Sequence, residues 1–72
     1  MAKTTTELKD IVRFGGGISI DAATKTTTEL KDIARLAHGS GATLVVRNAQ
    51  VKTTTELKDI ARLAPSKVVF EL

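Results

Sequence analysis

Few residues in this chain carry chemistry that could be put to use: one histidine (His38), eight carboxylates, two glycine clusters and three threonine triplets, with no cysteine. A histidine works as a general base or a metal ligand where a second group converges on it. His38 has no second histidine to join it and sits beside Gly39 at the close of an apolar helical pattern. There it would cap carbonyls and, when protonated, meet the negative end of the helix dipole. Gly15-Gly16-Gly17 and Gly39-Ser40-Gly41 invite comparison with phosphate-binding loops. Such loops follow a strand and open a helix, so that free amides point at the anion. Both clusters here have the reverse order, helix then strand, and neither leads into Gly-Lys-Ser/Thr. The threonine triplets starting at Thr4, Thr26 and Thr53 could form an ice-binding ladder or a phosphorylation array, but each begins a helix, and capping accounts for it. All carboxylates except Asp21 and Glu71 belong to a repeated helix, and no serine or threonine has a base placed beside it by a motif. The expectation is a protein that is not an enzyme, with no catalytic residue, cofactor or metal.

The elements behind these residues are copies of one unit. Residues 3–11, Lys-Thr-Thr-Thr-Glu-Leu-Lys-Asp-Ile, recur letter for letter at 25–33 and 52–60. The copies start 22 and 27 residues apart, within the range of repeat architectures. Identity this close implies recent duplication or deliberate construction. In each copy Thr-x-x-Glu is a capping box: the threonine hydroxyl accepts the third helical amide and the glutamate accepts the amide of the cap. Behind it Leu30, Ile33, Ala34 and Ala37 fall at i, i+3, i+4 and i+7, one apolar stripe. Leu8, Ile11 and Val12 repeat it, as do Leu57, Ile60, Ala61 and Ala64, and Phe14, Leu36 and Leu63 widen its edge. Asp10 and Arg13, three apart, are placed to pair on the wet face. Gly15-Gly16-Gly17, His38-Gly39-Ser40-Gly41 and Pro65-Ser66 then stop the helices. The spacing predicts helix cores at 4–14, 26–37 and 53–64, and strands at 18–21, 43–47 and 67–72, in a single domain of three repeats.

Ile18, Ile20, Leu44, Val46, Val68, Phe70 and Leu72 share one strand face. Ser19, Asp21, Val45, Arg47, Val69 and Glu71 share the other. A doubly wound sheet needs both faces apolar, and here only one is. The expected fold is therefore α/β, a two-layer α-β-α-β-α-β repeat. Its three-stranded parallel sheet has order 1-2-3 and carries all helices on one face, as right-handed crossovers require. The second set forms a bare face and is the candidate interaction face. In this register Asp21, Arg47 and Glu71 are lateral neighbours, and the middle arginine is placed to serve two carboxylates.

Leu44-x-Val46-x-x-Ala49-x-Val51, followed by a helix with Leu57, Ile60, Ala61 and Leu63, resembles a leucine-rich repeat of the ribonuclease-inhibitor type. Ala49 would fill the position where that family places Asn or Cys, and Ile18-x-Ile20-x-x-Ala23 is a shortened echo. The resemblance covers roughly residues 18–72 and implies a curved sheet with a protein-binding concave face. The chain departs from the family in opening with a helix, in lacking the Asn/Cys ladder and in its first spacing of 22.

A net charge of +3 and a pI near 9.6 point towards nucleic acid until the charge is traced. Each copy of the helix contributes +1, while Asp21, Arg47, Lys67 and Glu71 between the copies cancel. The basic balance is thus one helix copied three times. Stacking would align Lys9, Lys31 and Lys58 in one row and Arg13, Arg35 and Arg62 in another, so weak nucleic-acid binding is the alternative function. Phe14 and Phe70 are the only aromatics, which leaves no base-stacking platform. Met1-Ala2-Lys3 opens no signal peptide, apolar runs are short, and cysteine is absent, so the expected location is the cytoplasm, away from membranes. The hydrophobic last strand would be an open edge, a template for another chain. Together with Val45 and Val69 on the bare face, it predicts a homo-oligomer, in its simplest form a two-fold dimer. The leading functional reading is a non-enzymatic repeat domain acting through protein contact or self-association.

Overall fold

Each helix starts where its threonine closes a capping box. In the computed structural model, which describes residues 4–72, the Glu7 amide donates to the Thr4 hydroxyl at 3.2 Å and the Thr4 amide donates to the Glu7 carboxylate at 2.9 Å. The same reciprocal pair joins Thr26 to Glu29 (3.2 and 2.9 Å) and Thr53 to Glu56 (3.2 and 2.8 Å). Met1-Ala2-Lys3, on which the signal-peptide reading rests, lies outside the described residues. The helices are α1 (Thr5–Arg13), α2 (Thr27–Ser40) and α3 (Thr54–Leu63). They begin one residue inside the expected starts because the capping threonines have extended backbone.

The strands β1 (Ile18–Asp21), β2 (Leu44–Arg47) and β3 (Val68–Phe70) form one parallel sheet in the order β1-β2-β3. Ile18 lies opposite Leu44 and Leu44 opposite Val68; Ile20 lies opposite Val46 and Val46 opposite Phe70. On this face Ile20, Leu44 and Val46 are buried together with Val12, Leu30, Ile33, Ala34, Ala37 and Ile60 of the helices. The helices therefore cover one face of the sheet, and the chain measures 29 × 28 × 18 Å, the short dimension being that of two layers.

α2 packs between α1 and α3 and buries four residues, whereas α1 buries Val12 and α3 buries Ile60. The leucine and isoleucine of the stripe are the same in all three, so their different burial is positional: among the described residues each end helix has a neighbouring helix on one side only. Phe14, read as widening the apolar stripe, is 88% exposed, while its counterparts Leu36 and Leu63 are half-buried against the core.

Other boundaries differ as well: α1 and α3 stop one residue early, at Arg13 and Leu63, β2 starts one residue late, at Leu44, and the larger differences each have a local reason. α2 does not stop at residue 37; it continues through His38 and Gly39 to Ser40, and Gly41 takes the left-handed cap at φ 77°. A glycine inside a helix costs only about 1 kcal/mol against alanine, so Gly39 is tolerated and Gly41 provides the stop. β3 is shorter than 67–72: Lys67 is still in the turn, its amide donating to the Ala64 carbonyl at 3.0 Å. Beyond Phe70, Glu71 keeps two backbone bonds, to the Val46 carbonyl and from the Ala49 amide, each 2.9 Å. Leu72 is 84% exposed and does not join the core face, because β2 ends at Arg47 and Asn48 turns the chain away at φ 59°. Finally, one-turn 3₁₀ helices, Ala22–Thr24 and Ala49–Val51, follow β1 and β2. Ala49 is buried, but in the first unit it is Ala22 that is buried and Ala23 that is exposed, since Asn48 has no counterpart after Asp21.

Candidate interaction face

The register sets Ser19 opposite Val45 and Val45 opposite Val69, with Asp21 opposite Arg47, all on the sheet face that carries no helix. Glu71 extends this row through its bonds to β2 and the following turn. Ser19, Arg47, Val69 and Glu71 are exposed, and Asp21 and Val45 are half-buried. The six residues thus lie side by side, but the expected charge triad does not form. The Asp21 carboxylate accepts the Ala23 amide at 2.9 Å and the Asn48 side-chain amide at 3.4 Å, and Arg47 has no ion pair among the described residues. A cap two residues away needs little ordering, whereas an exposed ion pair fixes two side chains for at most about 1 kcal/mol. The cap wins Asp21.

A hollow of about 380 Å³ opens around β1, where Asp21, Lys25 and Arg47 bring one carboxylate and two cations beside the hydroxyls of Ser19 and Thr24. Among the described residues no group of three or more His, Asp or Glu side chains could hold a metal ion, and no helix is long and apolar enough to cross a membrane. His38 is exposed in the last turn of α2.

The more organised chemistry lies between the helices. The Thr5 hydroxyl donates to the Glu29 carboxylate at 2.5 Å, and the Thr27 hydroxyl donates to Glu56 at 2.6 Å. Lys9 meets Asp32 at 3.6 Å and Lys31 meets Asp59 at 3.8 Å. In these four contacts the earlier unit donates and the later unit accepts, which gives the threonine–glutamate and lysine–aspartate ladder a direction. The Ser40 hydroxyl to the Val12 carbonyl at 2.6 Å and the Lys52 ammonium to the Lys25 carbonyl at 3.0 Å run the other way. Each glutamate does two jobs, one oxygen accepting its own cap amide and the other accepting the previous unit's threonine. These bonds hold both carboxyls far below their usual range. Glu29 is lowered to about 2, first by the Thr26 amide and then by the Thr5 hydroxyl. Glu56 is lowered to about 2, first by the Thr27 hydroxyl and then by the Thr53 amide. On the outer surface Asp10, Asp32 and Asp59 also pair with the arginine three residues on, at 3.2, 2.9 and 3.2 Å.

Capping, which accounts for the first threonine of a triplet, therefore leaves out the work of the second. A signal was present. Thr5 and Lys9 are four apart on one helical flank, while Asp10, Ile11 and Phe14 lie on the other. Which flank meets which neighbour depends on the stacking direction. No protein-family model, curated protein or solved structure matches this chain.

Proposed function

We propose that this chain is a non-enzymatic repeat module of the solenoid kind, similar in plan to leucine-rich repeats, that acts by associating with further copies of itself. The observation that carries the reading is the pair of open sheet edges: β1 and β3 each have a strand on one side only. Large apolar side chains stand uncovered at those ends, Phe14 on α1 and Val69 and Leu72 at the last strand. Natural arrays close such ends with polar caps, and open edges favour pairing with another chain. The nucleic-acid alternative draws on a lysine row, but Lys9 and Lys31 are each spent on an aspartate of the next helix.

The test is solution mass by light scattering, followed from low micromolar to near-millimolar protein. A mass that rises with concentration supports the reading, and a strict monomer throughout overturns it. A single-stranded oligonucleotide added at low salt serves as the counter-test, since binding there without self-association would favour the nucleic-acid reading.

A further inference from the structure

We infer that the copies join head to tail, the α3 and β3 end of one chain docking on the α1 and β1 end of the next in the geometry by which α3 already docks on α2. The inference rests on the self-association reading and adds its polarity. At the C-terminal end Thr54 and Lys58 hold the donor positions of the ladder, yet among the described residues no helix beyond α3 accepts from them. Both are exposed, whereas Thr5, Lys9, Thr27 and Lys31, which do have acceptors, are half-buried. Lys58 has no ion pair among the described residues.

The N-terminal end shows the converse. The Asp10 side chain is 56% exposed against 38% for Asp32 and Asp59, the two that receive a lysine from the preceding unit. Ile11 is 40% exposed, while Ile33 and Ile60, in the same nonapeptide, are fully buried. With Phe14, Ile11 makes the α1 flank an apolar surface bordered by a carboxylate, at positions where α2 and α3 have a buried isoleucine and a half-buried leucine. Both sheet edges are open and all strands are parallel, so a head-to-tail copy continues the sheet with the register sense of β2 on β1. A two-fold dimer would instead bring like ends together, Lys58 towards Lys58 or Asp10 towards Asp10, and gain no ladder bond. A heterologous contact of this kind propagates unless its rotation closes a ring.

The test uses charge reversal at each end, Lys58→Glu and Asp10→Lys, read by sedimentation velocity. Both side chains are exposed, so the far-UV circular dichroism of each variant is expected to match the parent; the milder Lys58→Gln and Asp10→Asn read the same junction if either reversal disturbs folding. Each reversal is expected to weaken self-association about fivefold, an exposed ion pair replaced by a like-charge contact. An equimolar mixture of the two variants is expected to recover the parent's size distribution with the two chains alternating, because Lys58 of the Asp10→Lys chain matches Asp10 of the Lys58→Glu chain at one junction and the two substituted side chains form the inverted pair at the next. The double variant, with the pair inverted, is expected to recover the parent's size distribution. Association of the parent that ends at a dimer, or that ignores Asp10→Lys, overturns the head-to-tail geometry and leaves self-association standing. A parent that stays monomeric overturns both.

Discussion

Ile11, Ile33 and Ile60 sit at the same place in three copies of one nonapeptide, so replacing each with alanine compares their positions, the next residue being valine in the first copy and alanine in the other two. Helix propensity favours the alanine by the same few tenths of a kcal/mol in every case. The sequence on the N-terminal side is identical, and an arginine follows two residues on in all three. Ile33 and Ile60 are fully buried. The substitution removes three carbons, about 2.4 kcal/mol of transfer free energy at about 0.8 kcal/mol each, and leaves a cavity that adds to it. After the propensity gain, Ile33→Ala and Ile60→Ala should each cost about 3 kcal/mol. Ile11 is 40% exposed. It loses roughly three-fifths of the transfer free energy, about 1.4 kcal/mol, and opens no enclosed cavity, so Ile11→Ala should cost about 1 kcal/mol. A domain of this size has about 4–11 kcal/mol of stability in total, so the two classes are easily separated.

The assay is equilibrium urea unfolding followed by far-UV circular dichroism at low micromolar protein, where association is dilute. A shared slope with displaced midpoints would show that only stability changed. If Ile11→Ala cost as much as Ile33→Ala, the flank of α1 would already be covered, and the reasoning from burial to an open N-terminal end would be refuted. The same substitution has a second readout: if copies dock on that flank, Ile11→Ala should weaken self-association while hardly moving the urea midpoint.

Three further outcomes follow from local geometry. Glu29 and Glu56 have folded pKa values near 2, below the usual 4.5, so their contribution is complete above about pH 4.5 and is lost as pH falls towards 2. Thermal stability should therefore drop across that window. Thr27→Val should return the Glu56 carboxyl towards its usual value more than Thr5→Val does for Glu29, as side-chain carboxyl NMR titration would show. Asp21→Ala, which deletes the cap on Ala22–Thr24, should cost about 1 kcal/mol in urea unfolding, whereas Arg47→Ala should cost under about 0.5. Equal costs would restore the charge triad. Gly39 is helical with open space where a Cβ would go, so Gly39→Ala should stabilise by about 0.5–1 kcal/mol. A Cβ on Gly16 would lie 2.7 Å from the Ile11 γ-methyl, so Gly16→Ala should destabilise, and both shifts are read as melting temperatures.

The legible parts of this fold are those dictated by neighbours in sequence. Thr-x-x-Glu starts a helix whatever surrounds it, and Ile18-Ser19-Ile20-Asp21 alternates strictly enough to orient β1. One apolar strand face then implied helices on one side and the order β1-β2-β3. What escaped depended on competition or on distance. The end of α2 was a choice between two glycines, settled by which one stood where the left-handed backbone was needed. The 3₁₀ turns depended on Asp21 preferring a nearby amide to a cross-strand guanidinium. The threonine-to-glutamate bridges span 24 and 29 residues, and the flank on which Thr5 and Thr27 lie does not by itself say which neighbouring helix they meet.

Repetition has a consequence that no single unit contains. A helix with donors on one flank and acceptors on the other, stacked in register, makes every internal junction complementary and leaves two ends that complement each other instead of themselves. Only a differing end unit can break that symmetry, and this chain has partial ones. The first copy has Val12 and Phe14 where the later copies have alanine and leucine, and Phe14 enlarges the apolar surface that a preceding copy would meet. The last copy ends in Glu71 and an exposed Leu72, which place a charge and a loose apolar side chain beside the open edge. Neither change is the polar covering that closes natural arrays. Exchanging Phe14 for the leucine of the other copies trims that surface without touching the core, so it should lower self-association and leave the urea midpoint within about 0.5 kcal/mol of the parent.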